Sequence, residues 1–430
     1  MLKKILSSAL LLISPMRAEK IPYTEENQPE VSSEYLYLYD IANDQLLYSI
    51  QGETTMYPAS MTKVMTVLLA IENFPDPEQK VTMTEEMWTG LIEADATIAG
   101  YWPGTTVTVR DLLYGAILPS GADAVNAIAI TLDGSIPAFV ERMNRRAEEL
   151  GMASTHFANA TGLHDSAHVS SCEDIAILFN EALKHDVFQE VLLTREYLAQ
   201  PENGEAVTLT STSWPAINNG PGTYQIPGYL GGKTGFTNPA GRCMVSHAEF
   251  NGMHLLLVTG KSVNTGHIAD AATVYNWYAE NYGYRTAANA GDIIAVIPVE
   301  DSFDVKTITI TMPESVSMDL PLDAEIRVEH DLPAAFHAPI EKGEKLGSVR
   351  VVADGQTIYE TEVFSDLHIK HSILLHGWNA SVRIFNSHRT LFAIGGAAVI
   401  VLLIADVLVQ GANKKKRRKT KKKRSTKNTH

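Results

Sequence analysis

Cysteine is scarce in this 430-residue sequence, which contains only Cys172 and Cys243. Two thiols are too few for a disulfide-stapled scaffold or for a structural zinc site with four cysteine ligands. They can form a disulfide or remain small buried hydrophobic residues, and we favour the second interpretation. The sequence also lacks a Gly-x-Ser-x-Gly motif, which excludes a Ser-His-Asp hydrolase built around that motif.

Positive charge is scarce outside the C-terminus. The chain has 35 Lys and Arg against 50 Asp and Glu, a formal net charge of -15, and eleven of the bases lie in the last twenty residues. An acidic body argues against a nucleic-acid groove, because such grooves concentrate Lys and Arg on one face. We therefore predict no nucleic-acid partner. Hydrophobic residues make up 45% and charged residues 20%, as in a globular chain of two or three domains.

The N-terminus predicts export. Lys3 and Lys4 precede an apolar run at residues 5–13, which is typical of a secretory signal peptide. We place this signal at residues 1–18. The alternative is a buried N-terminal helix.

The C-terminus predicts a membrane anchor. Residues 391–409 are almost entirely apolar, and at about 1.5 Å per residue they nearly span a hydrocarbon core of roughly 30 Å. Ten of the eleven residues 414–424 are Lys or Arg, so the positive-inside rule keeps the tail at 410–430 in the cytoplasm. We expect a cell-membrane protein with a single C-terminal transmembrane helix and an extracellular body. A basic nucleic-acid tail after a buried helix is the alternative, which the N-terminal signal disfavours.

The body of the chain divides near residue 288. Within residues 19–288 short strands mix with amphipathic helices, as in the alternating segment 34–39 and the helical spacing of apolar residues in 137–150. Residues 289–363 alternate like strands between turns, which predicts a small β-rich domain. Residues 364–390 have no clean periodicity, and we interpret them as a juxtamembrane connector.

A first candidate motif is Ser60-Met-Thr-Lys63, which runs into an apolar stretch at residues 64–71. If Ser60 opens a helix, the Lys63 amine lies one turn on and near the hydroxyl. A lysine whose pKa is lowered can take the serine proton and make the hydroxyl a nucleophile. The backbone N–H groups at the helix start could supply part of an oxyanion hole. Alone, the motif is a common helix cap followed by a solvated lysine.

Two further motifs follow in the chain. Ser120-Gly121-Ala122 precedes a second apolar helix, where the serine could relay a proton or merely cap the helix. Lys233-Thr234-Gly235 offers a cation and a hydroxyl beside glycine, which suits close binding of a carboxylate. In isolation this tripeptide is more often a β-turn.

The order Ser-x-x-Lys, Ser-Gly-x, Lys-Thr-Gly is the pattern of serine β-lactamases and penicillin-binding proteins. Residues 34–282 resemble the low-molecular-mass penicillin-binding proteins, which are serine-type D-alanyl-D-alanine carboxypeptidases. The resemblance includes the segments 139–152 and 157–163, and residues 338–347 resemble the β-rich C-terminal domain of that family.

The resemblance implies an α/β (α+β) fold. A β-lactamase/transpeptidase-like catalytic domain, with an antiparallel sheet flanked by helices, would occupy residues 19–288. An all-β domain at 289–363 would follow, then the connector and the transmembrane helix. The expected partners are a peptidoglycan stem peptide, β-lactam antibiotics and the cytoplasmic membrane.

The resemblance also implies catalytic roles. Ser60 would attack the carbonyl between the two terminal D-alanines of the stem peptide, and Lys63 would take its proton. Ser120 would pass a proton to the departing D-alanine. Water would hydrolyse the acyl-enzyme, whereas β-lactams would acylate Ser60 and leave slowly.

Substrate binding is implied for the third motif. Lys233 and Thr234 would hold the terminal carboxylate beside Gly235. The backbone N–H groups of Ser60 and Phe236 would form the oxyanion hole. The resemblance implies neither a metal nor a cofactor.

Two positions depart from the family pattern. Ala122 stands where the family usually has Asn, so turnover should fall unless another side chain substitutes. Asn126 is a candidate substitute, although a plain helix-face role is the commoner interpretation. Phe236 replaces a polar residue or a tyrosine, which should alter contacts with the substrate side chain.

Three other functions fit less well. A zinc-dependent D,D-carboxypeptidase would use His168 and Asp174, but their spacing is wrong and no Glu-x-His follows. A β-lactamase is disfavoured by the β-rich domain and the anchor. A penicillin-binding homologue that binds or scaffolds cell wall with weak turnover is favoured only by Ala122.

Overall fold

The computed structural model describes residues 28–390, 399–405, 407 and 408. The described residues form two compact units. The first contains residues 28–287 and 317–325, and the second contains 288–316 and the described residues from 326 onward. The predicted signal peptide and basic tail lie outside the described residues, as do positions 391–398, 406 and 409 of the predicted transmembrane helix.

The first unit combines sheets and helices, as the sequence predicts. Its strands are β1 (Tyr35–Asp40), β2 (Gln45–Ile50), β3 (Lys80–Thr82), β4 (Thr106–Thr108), β5 (Glu196–Ala199), β6 (Val207–Thr210), β7 (Tyr229–Thr237), β8 (Gly241–Phe250), β9 (Met253–Ser262) and most of β10 (Tyr282–Ala288). Its helices are α1 (Lys63–Asn73), α2 (Val109–Ile117), α3 (Ala122–Asp133), α4 (Ile136–Leu150), α5 (Cys172–Ala182), α6 (Asp186–Leu193) and α7 (Gly266–Asn281).

The main sheet has five strands in the order β2-β1-β9-β8-β7, and every neighbouring pair is antiparallel. Side chains of β9 alternate between its two faces. Leu256 and Val258 belong to one hydrophobic cluster, together with α1 and α3. Leu255 and Leu257 belong to the other, with α7. This two-residue period, expected of a strand buried on both faces, fixes the sheet between helical layers.

Helix α1 is buried along most of its length, and Val64, Val67 and Leu68 have no exposed surface. A helix with apolar residues on most of its sides is stable only when it is surrounded by other elements. Helix α4 is amphipathic and buries Phe139 and Met143 at the four-residue spacing that the sequence indicates. Cys172 and Cys243 are free and buried, which confirms their interpretation as small hydrophobic residues.

The second unit is rich in β-structure, which confirms the predicted C-terminal β domain. Its strands are β11 (Ile293–Glu300), β12 (Thr307–Thr311), β14 (Ile326–Asp331), β15 (Phe336–His337), β16 (Lys345–Ala353) and β17 (Gln356–Phe364), while β13 (Val316–Pro321) pairs with β10. Strands β14, β16 and β17 form an antiparallel sheet, and β11 pairs antiparallel with β12 and parallel with β15.

The connector at 364–390 contains a helix that the sequence analysis missed, α8 (Ile373–Ser387). Ser372 caps it by accepting a hydrogen bond from the Leu375 N–H. No residue of α8 is buried, although its apolar residues recur at three- and four-residue spacing, as in an amphipathic helix. Within the described residues, no single helix has the length and apolar composition to cross a membrane, and α3 with α4 meets that test only as a pair bent by 87°.

Candidate active site

Ser60 lies in a tight 3-10 turn, Ala59–Thr62, that leads directly into α1. The motif spacing predicts that Ser60 opens the helix itself, and the structure places it one turn earlier. Ala59 has a left-handed backbone with φ of 47°, a conformation that costs about 1–3 kcal/mol for a residue with a side chain. The turn is therefore held by its surroundings rather than by local preference.

Lys63 is the first residue of α1, and its ammonium nitrogen reaches back to the turn. Lys63 Nζ donates to Ser60 Oγ at 2.9 Å and to the Thr161 carbonyl at 2.6 Å. The side chain is almost fully buried, with 3% exposure. Burial lowers the pKa of Lys63 to about 7, while the negative charge of Asp123 opposes the shift. A large share of Lys63 is thus a neutral amine near pH 7, as a proton acceptor must be.

The loop at 157–163 supports this pair. Thr66 Oγ1 in α1 donates to the Ala160 carbonyl at 2.9 Å, and Asn159 Oδ1 accepts from the Gly162 N–H at 2.7 Å. Gly162 has φ of +82°, and a Cβ there would lie 1.9 Å from the Ala59 carbonyl oxygen. Only glycine fits at this contact, so the loop closes directly against the turn that carries the serine.

Ser120 and Lys233 meet across the cleft. Lys233 Nζ donates to Ser120 Oγ at 2.9 Å and to the Thr234 carbonyl at 2.8 Å. Lys233 has no exposed surface, and burial followed by repulsion from Lys63 lowers its pKa well below the usual value. Ser120 also has a left-handed backbone, with φ of 67°. The structure therefore joins the second and third motifs through a lysine that lies beneath the cleft surface.

The residues that follow Ser120, in the first turns of α3, are buried and contact other parts of the fold. Ala122 is buried, with 2% exposure, in the first turn of α3. Asn126 donates to the Met87 carbonyl at 3.0 Å, so its amide is engaged away from the first motif. Asp123 accepts hydrogen bonds from the N–H groups of Ala99, Gly100 and Tyr101.

These motifs border one cleft of about 1030 Å³. The predicted site residues on its wall are Ser60, Ser120, Thr234, Gly235 and Phe236. The Thr234 hydroxyl donates to Thr212 Oγ1 at 2.7 Å. A Cβ on Gly235 would lie 3.0 Å from the Ser60 amide nitrogen. The edge strand β7 therefore runs close to the serine turn, and glycine permits that approach.

The cleft also contains residues that the sequence analysis missed. Thr212, Arg242 and His267 line it. Arg242 is the direct cross-strand partner of Phe236, and its guanidinium lies 4.9 Å from the centre of the Phe236 ring. The burial of His267, and then the nearby Arg242, lower the pKa of His267 to about 4. The β7–β8 hairpin register is the signal that could have identified Arg242.

The proposed zinc ligands of the rival enzyme are engaged elsewhere. His168 Nε2 lies 2.7 Å from Thr62 Oγ1, and its Nδ1 accepts from the Ala158 N–H. Asp174 accepts from the N–H of Ser154 and the hydroxyl of Thr155. Both side chains therefore brace the loop beside α1 instead of forming a metal site with each other.

The model of the D-alanyl-D-alanine carboxypeptidase family matches residues 23–262, more than half of the chain. The chain belongs to this family. The model of the C-terminal domain of penicillin-binding protein 5 matches residues 282–371. Together the two matches identify a low-molecular-mass penicillin-binding protein of the serine carboxypeptidase type.

Curated family members match most of the chain. D-alanyl-D-alanine carboxypeptidase DacF of Bacillus subtilis is 28% identical over 84% of this chain and 93% of its own length. The Streptomyces K15 DD-transpeptidase structure is 27% identical and covers 58% of this chain and 98% of its own, with a TM-score of 0.54. Penicillin-binding protein 5 of Haemophilus influenzae, at 23% identity, shares the fold over 80% of this chain and 99% of its own, with a TM-score of 0.58.

Proposed function

We propose that this protein is a serine-type D-alanyl-D-alanine carboxypeptidase that removes the terminal D-alanine from peptidoglycan stem peptides through an acyl-enzyme on Ser60. The observation that carries the proposal is the Lys63–Ser60 contact at 2.9 Å, made by a buried amine whose pKa is lowered to about 7. A neutral lysine at hydrogen-bond distance is the base that a serine nucleophile needs.

In the acylation step, Ser60 Oγ bonds to the carbonyl carbon of the penultimate D-alanine while Lys63 takes the hydroxyl proton. The carbonyl oxygen becomes an oxyanion, which the backbone N–H groups of Ser60 and Phe236 would stabilise. The close approach of Gly235 to the Ser60 amide supports this pairing of donors. The carbon–nitrogen bond then breaks, and the departing D-alanine nitrogen receives a proton through Ser120.

The terminal carboxylate of the substrate would be held by the third motif. Lys233 is fully buried and already donates to Ser120, and the substrate carboxylate would permit a positive charge on its amine, which burial and Lys63 otherwise disfavour. The Thr234 hydroxyl would contact the carboxylate from the cleft wall. Arg242 adds an exposed guanidinium in the same cleft, and guanidinium binds carboxylates in a two-pronged manner.

In the second step, water attacks the acyl carbon, a proton returns to Ser60 Oγ, and the shortened peptide leaves. A β-lactam would acylate Ser60 by ring opening and leave slowly. A relative from Streptomyces strain K15 is named a carboxypeptidase, and a structure from Streptomyces K15 is titled a DD-transpeptidase. An amine acceptor therefore belongs in any assay, because it separates hydrolysis from transfer.

The second candidate is a penicillin-binding homologue with weak turnover that binds or scaffolds cell wall. Ala122 favours it, because a methyl group cannot form the hydrogen bonds of the usual Asn, and Asn126 is engaged with Met87. The Ser60, Lys63, Ser120 and Lys233 contacts favour the enzyme, since a scaffold has no need for a buried base.

We also propose that the protein is exported and tethered to the cell membrane, with the catalytic domain outside. The sequence signals at residues 1–18, 391–409 and 410–430 support this location. Helix α8 supports it as well, because Ile373, Leu374 and Trp378 have exposures of 81%, 80% and 69%. Apolar side chains of this kind favour a lipid interface over water.

The test uses full-length protein with a D-Ala-D-Ala-terminated peptide, with and without a D-amino acid acceptor, and with a labelled penicillin. The proposal expects label on Ser60, released D-alanine, and neither with Ser60→Ala. Label on Ser60 without D-alanine release would favour the weak homologue. No label in the folded wild-type protein would exclude the serine mechanism.

A further inference from the structure

A second cluster of chemically active side chains lies in the β-rich unit. It consists of Asp301, directly after β11, with His371 and His376 at the start of α8. Each residue offers one ligand atom, and these atoms lie within 4.8 Å of one another. No other group of three His, Cys, Asp or Glu side chains in the described part of the chain meets this spacing. The cluster lies in residues that the proposed catalytic mechanism does not use.

The carboxylate of Asp301 is already held in place. Asp301 is buried, with 3% exposure, and its Oδ1 accepts from Asn379 Nδ2 at 2.9 Å. Its Oδ2 lies 2.9 Å from His376 Nδ1, and its carbonyl accepts from the Ser372 N–H at 2.7 Å. A buried, oriented carboxylate beside imidazoles is the arrangement in which outer partners such as Asn379 fix a metal ligand.

His371 distinguishes a metal site from a simple ion pair. The contact between Asp301 and His376 needs no third group, yet the ring of His371 lies 5.2 Å from that of His376, tilted by 54°. Both histidines are exposed, so their rings can rotate toward a common centre. Tetrahedral zinc takes nitrogen and oxygen ligands at about 2.0–2.2 Å, which requires only a modest contraction of this cluster.

The local charges offset a bound cation in part. The N-terminus of α8 carries a partial positive charge that disfavours a cation, and Arg383 is nearby. Asp301 supplies one negative charge. Glu300 pairs with Arg383 at 2.8 Å, so the positive charge of Arg383 is largely neutralised and repels a bound cation little. Neutral imidazoles add no charge.

We propose that Asp301, His371 and His376 bind one Zn²⁺ ion, with water completing its coordination, and that the ion fastens the start of α8 to the turn after β11. Both elements belong to the same compact unit. The bound ion would stabilise the folded unit because zinc binds it more tightly than it binds the unfolded chain.

The experiment uses full-length protein purified without a histidine tag and stripped with a chelator. Zn²⁺ is titrated in competition with a chromogenic chelator, and Co²⁺ is titrated with its visible spectrum recorded. We expect one Zn²⁺ per chain and intense Co²⁺ bands typical of four-coordination. Asn379→Ala should weaken zinc binding roughly 10- to 100-fold, as loss of an outer partner does, and His371→Ala and His376→Ala should weaken it further.

The matched control is His388→Ala, an exposed histidine at the other end of α8, which should bind as the wild type does. Thermal unfolding followed by circular dichroism reports that the β-rich unit of each variant is folded, and penicillin labelling of Ser60 reports on the first unit, which does not contain this site. Absence of stoichiometric zinc in the wild type would overturn the proposal. So would unchanged affinity in His371→Ala, or an equal loss in His388→Ala.

Discussion

Lys233 Nζ donates a hydrogen bond of 2.9 Å to Ser120 Oγ, joining two side chains that lie 113 residues apart in the chain. The contact places a second buried lysine close enough to Lys63 that the charge of Lys63 lowers the pKa of Lys233. Two buried ammonium groups disfavour each other, so a neutral Lys233 is favoured when no substrate is bound. A substrate carboxylate would restore the balance by permitting a positive charge on Lys233.

The protonation of Lys63 should set the pH dependence of acylation. Its pKa is lowered to about 7 by burial, so the amine is protonated and inactive as a base below that pH and neutral above it. We expect the rate of penicillin acylation to rise with pH through about 7 and then level off, in stopped-flow measurements with full-length protein.

The charge of Asp123 provides a variant for this prediction. Because Asp123 raises the pKa of Lys63, Asp123→Asn should move the rising part of the profile to lower pH, whereas Asp133→Asn in the same helix should leave it in place. A rate that stays constant between about pH 6 and 8 in the wild type would contradict a lysine base.

Ala122 should limit turnover. In Ala122→Asn the amide would restore hydrogen-bonding groups to the cleft, and one such donor in other serine hydrolases is worth about 10²–10³ in kcat. We expect D-alanine release to increase by only about tenfold. The gain is smaller than the full effect of such a donor because position 122 is 2% exposed, and the added bulk costs about 1–3 kcal/mol of stability.

Ala122→Leu is the matched control, since it has nearly the shape of Asn without its hydrogen bonds. Leucine should lower stability without a gain in D-alanine release. Equal turnover in the alanine, leucine and asparagine forms would show that this position does not limit the reaction.

The sequence predicted the site through motif order, and local spacing predicted one of its contacts. Ser60 and Lys63 are three residues apart, so helical spacing alone places the amine near the hydroxyl. The contact between Ser120 and Lys233 depends on how α3 and β7 come together, which no local periodicity encodes. Arg242 was missed because its entry into the cleft depends on its register opposite Phe236.

The helices and strands were predicted best where the hydrophobic periodicity is strongest. The strongly amphipathic α4 begins at Ile136, one residue before the segment indicated by its spacing. The strand-like alternation predicted for residues 289–363 is confirmed by strands β11 to β17. Helix α8 was missed although Leu374, Trp378 and Val382 recur at four-residue spacing, a helical signal that could have identified it.

Arg242 should contribute to recognition of the substrate carboxylate. In the described part of the chain no salt bridge engages it, and it lies over Phe236 in the cleft. Arg242→Gln should lower kcat/KM for a D-Ala-D-Ala peptide roughly 10- to 100-fold, as loss of a charged hydrogen bond does. A peptide whose terminal carboxylate is replaced by an amide should lose much less.

Arg195→Gln is the control for Arg242. Arg195 also lies over an aromatic ring, 4.5 Å from the centre of Trp214, but it borders a separate pocket. Its removal should leave kcat/KM for both peptides near the wild-type values. An equal loss on the acid and amide peptides in Arg242→Gln would contradict a carboxylate contact.

Gly162 should be essential to the serine turn, and Gly151 provides a comparison with nearly the same backbone. The two have φ of +82° and +80°, but a Cβ at Gly151 meets nothing within 4 Å, whereas one at Gly162 would lie 1.9 Å from the Ala59 carbonyl oxygen. Gly151→Ala should cost about 1–3 kcal/mol of stability from backbone strain alone.

Gly162→Ala adds a steric conflict with the backbone that carries Ser60. Its free energy of unfolding, measured with urea, should therefore fall by several kcal/mol more than that of Gly151→Ala, beyond the usual range for single substitutions. Penicillin acylation of the surviving folded protein should fall as well, because the Ala59 carbonyl can avoid the methyl group only by moving the turn. A Gly162→Ala protein as stable as Gly151→Ala, with wild-type acylation, would mean that the loop at 157–163 does not hold the nucleophile in place.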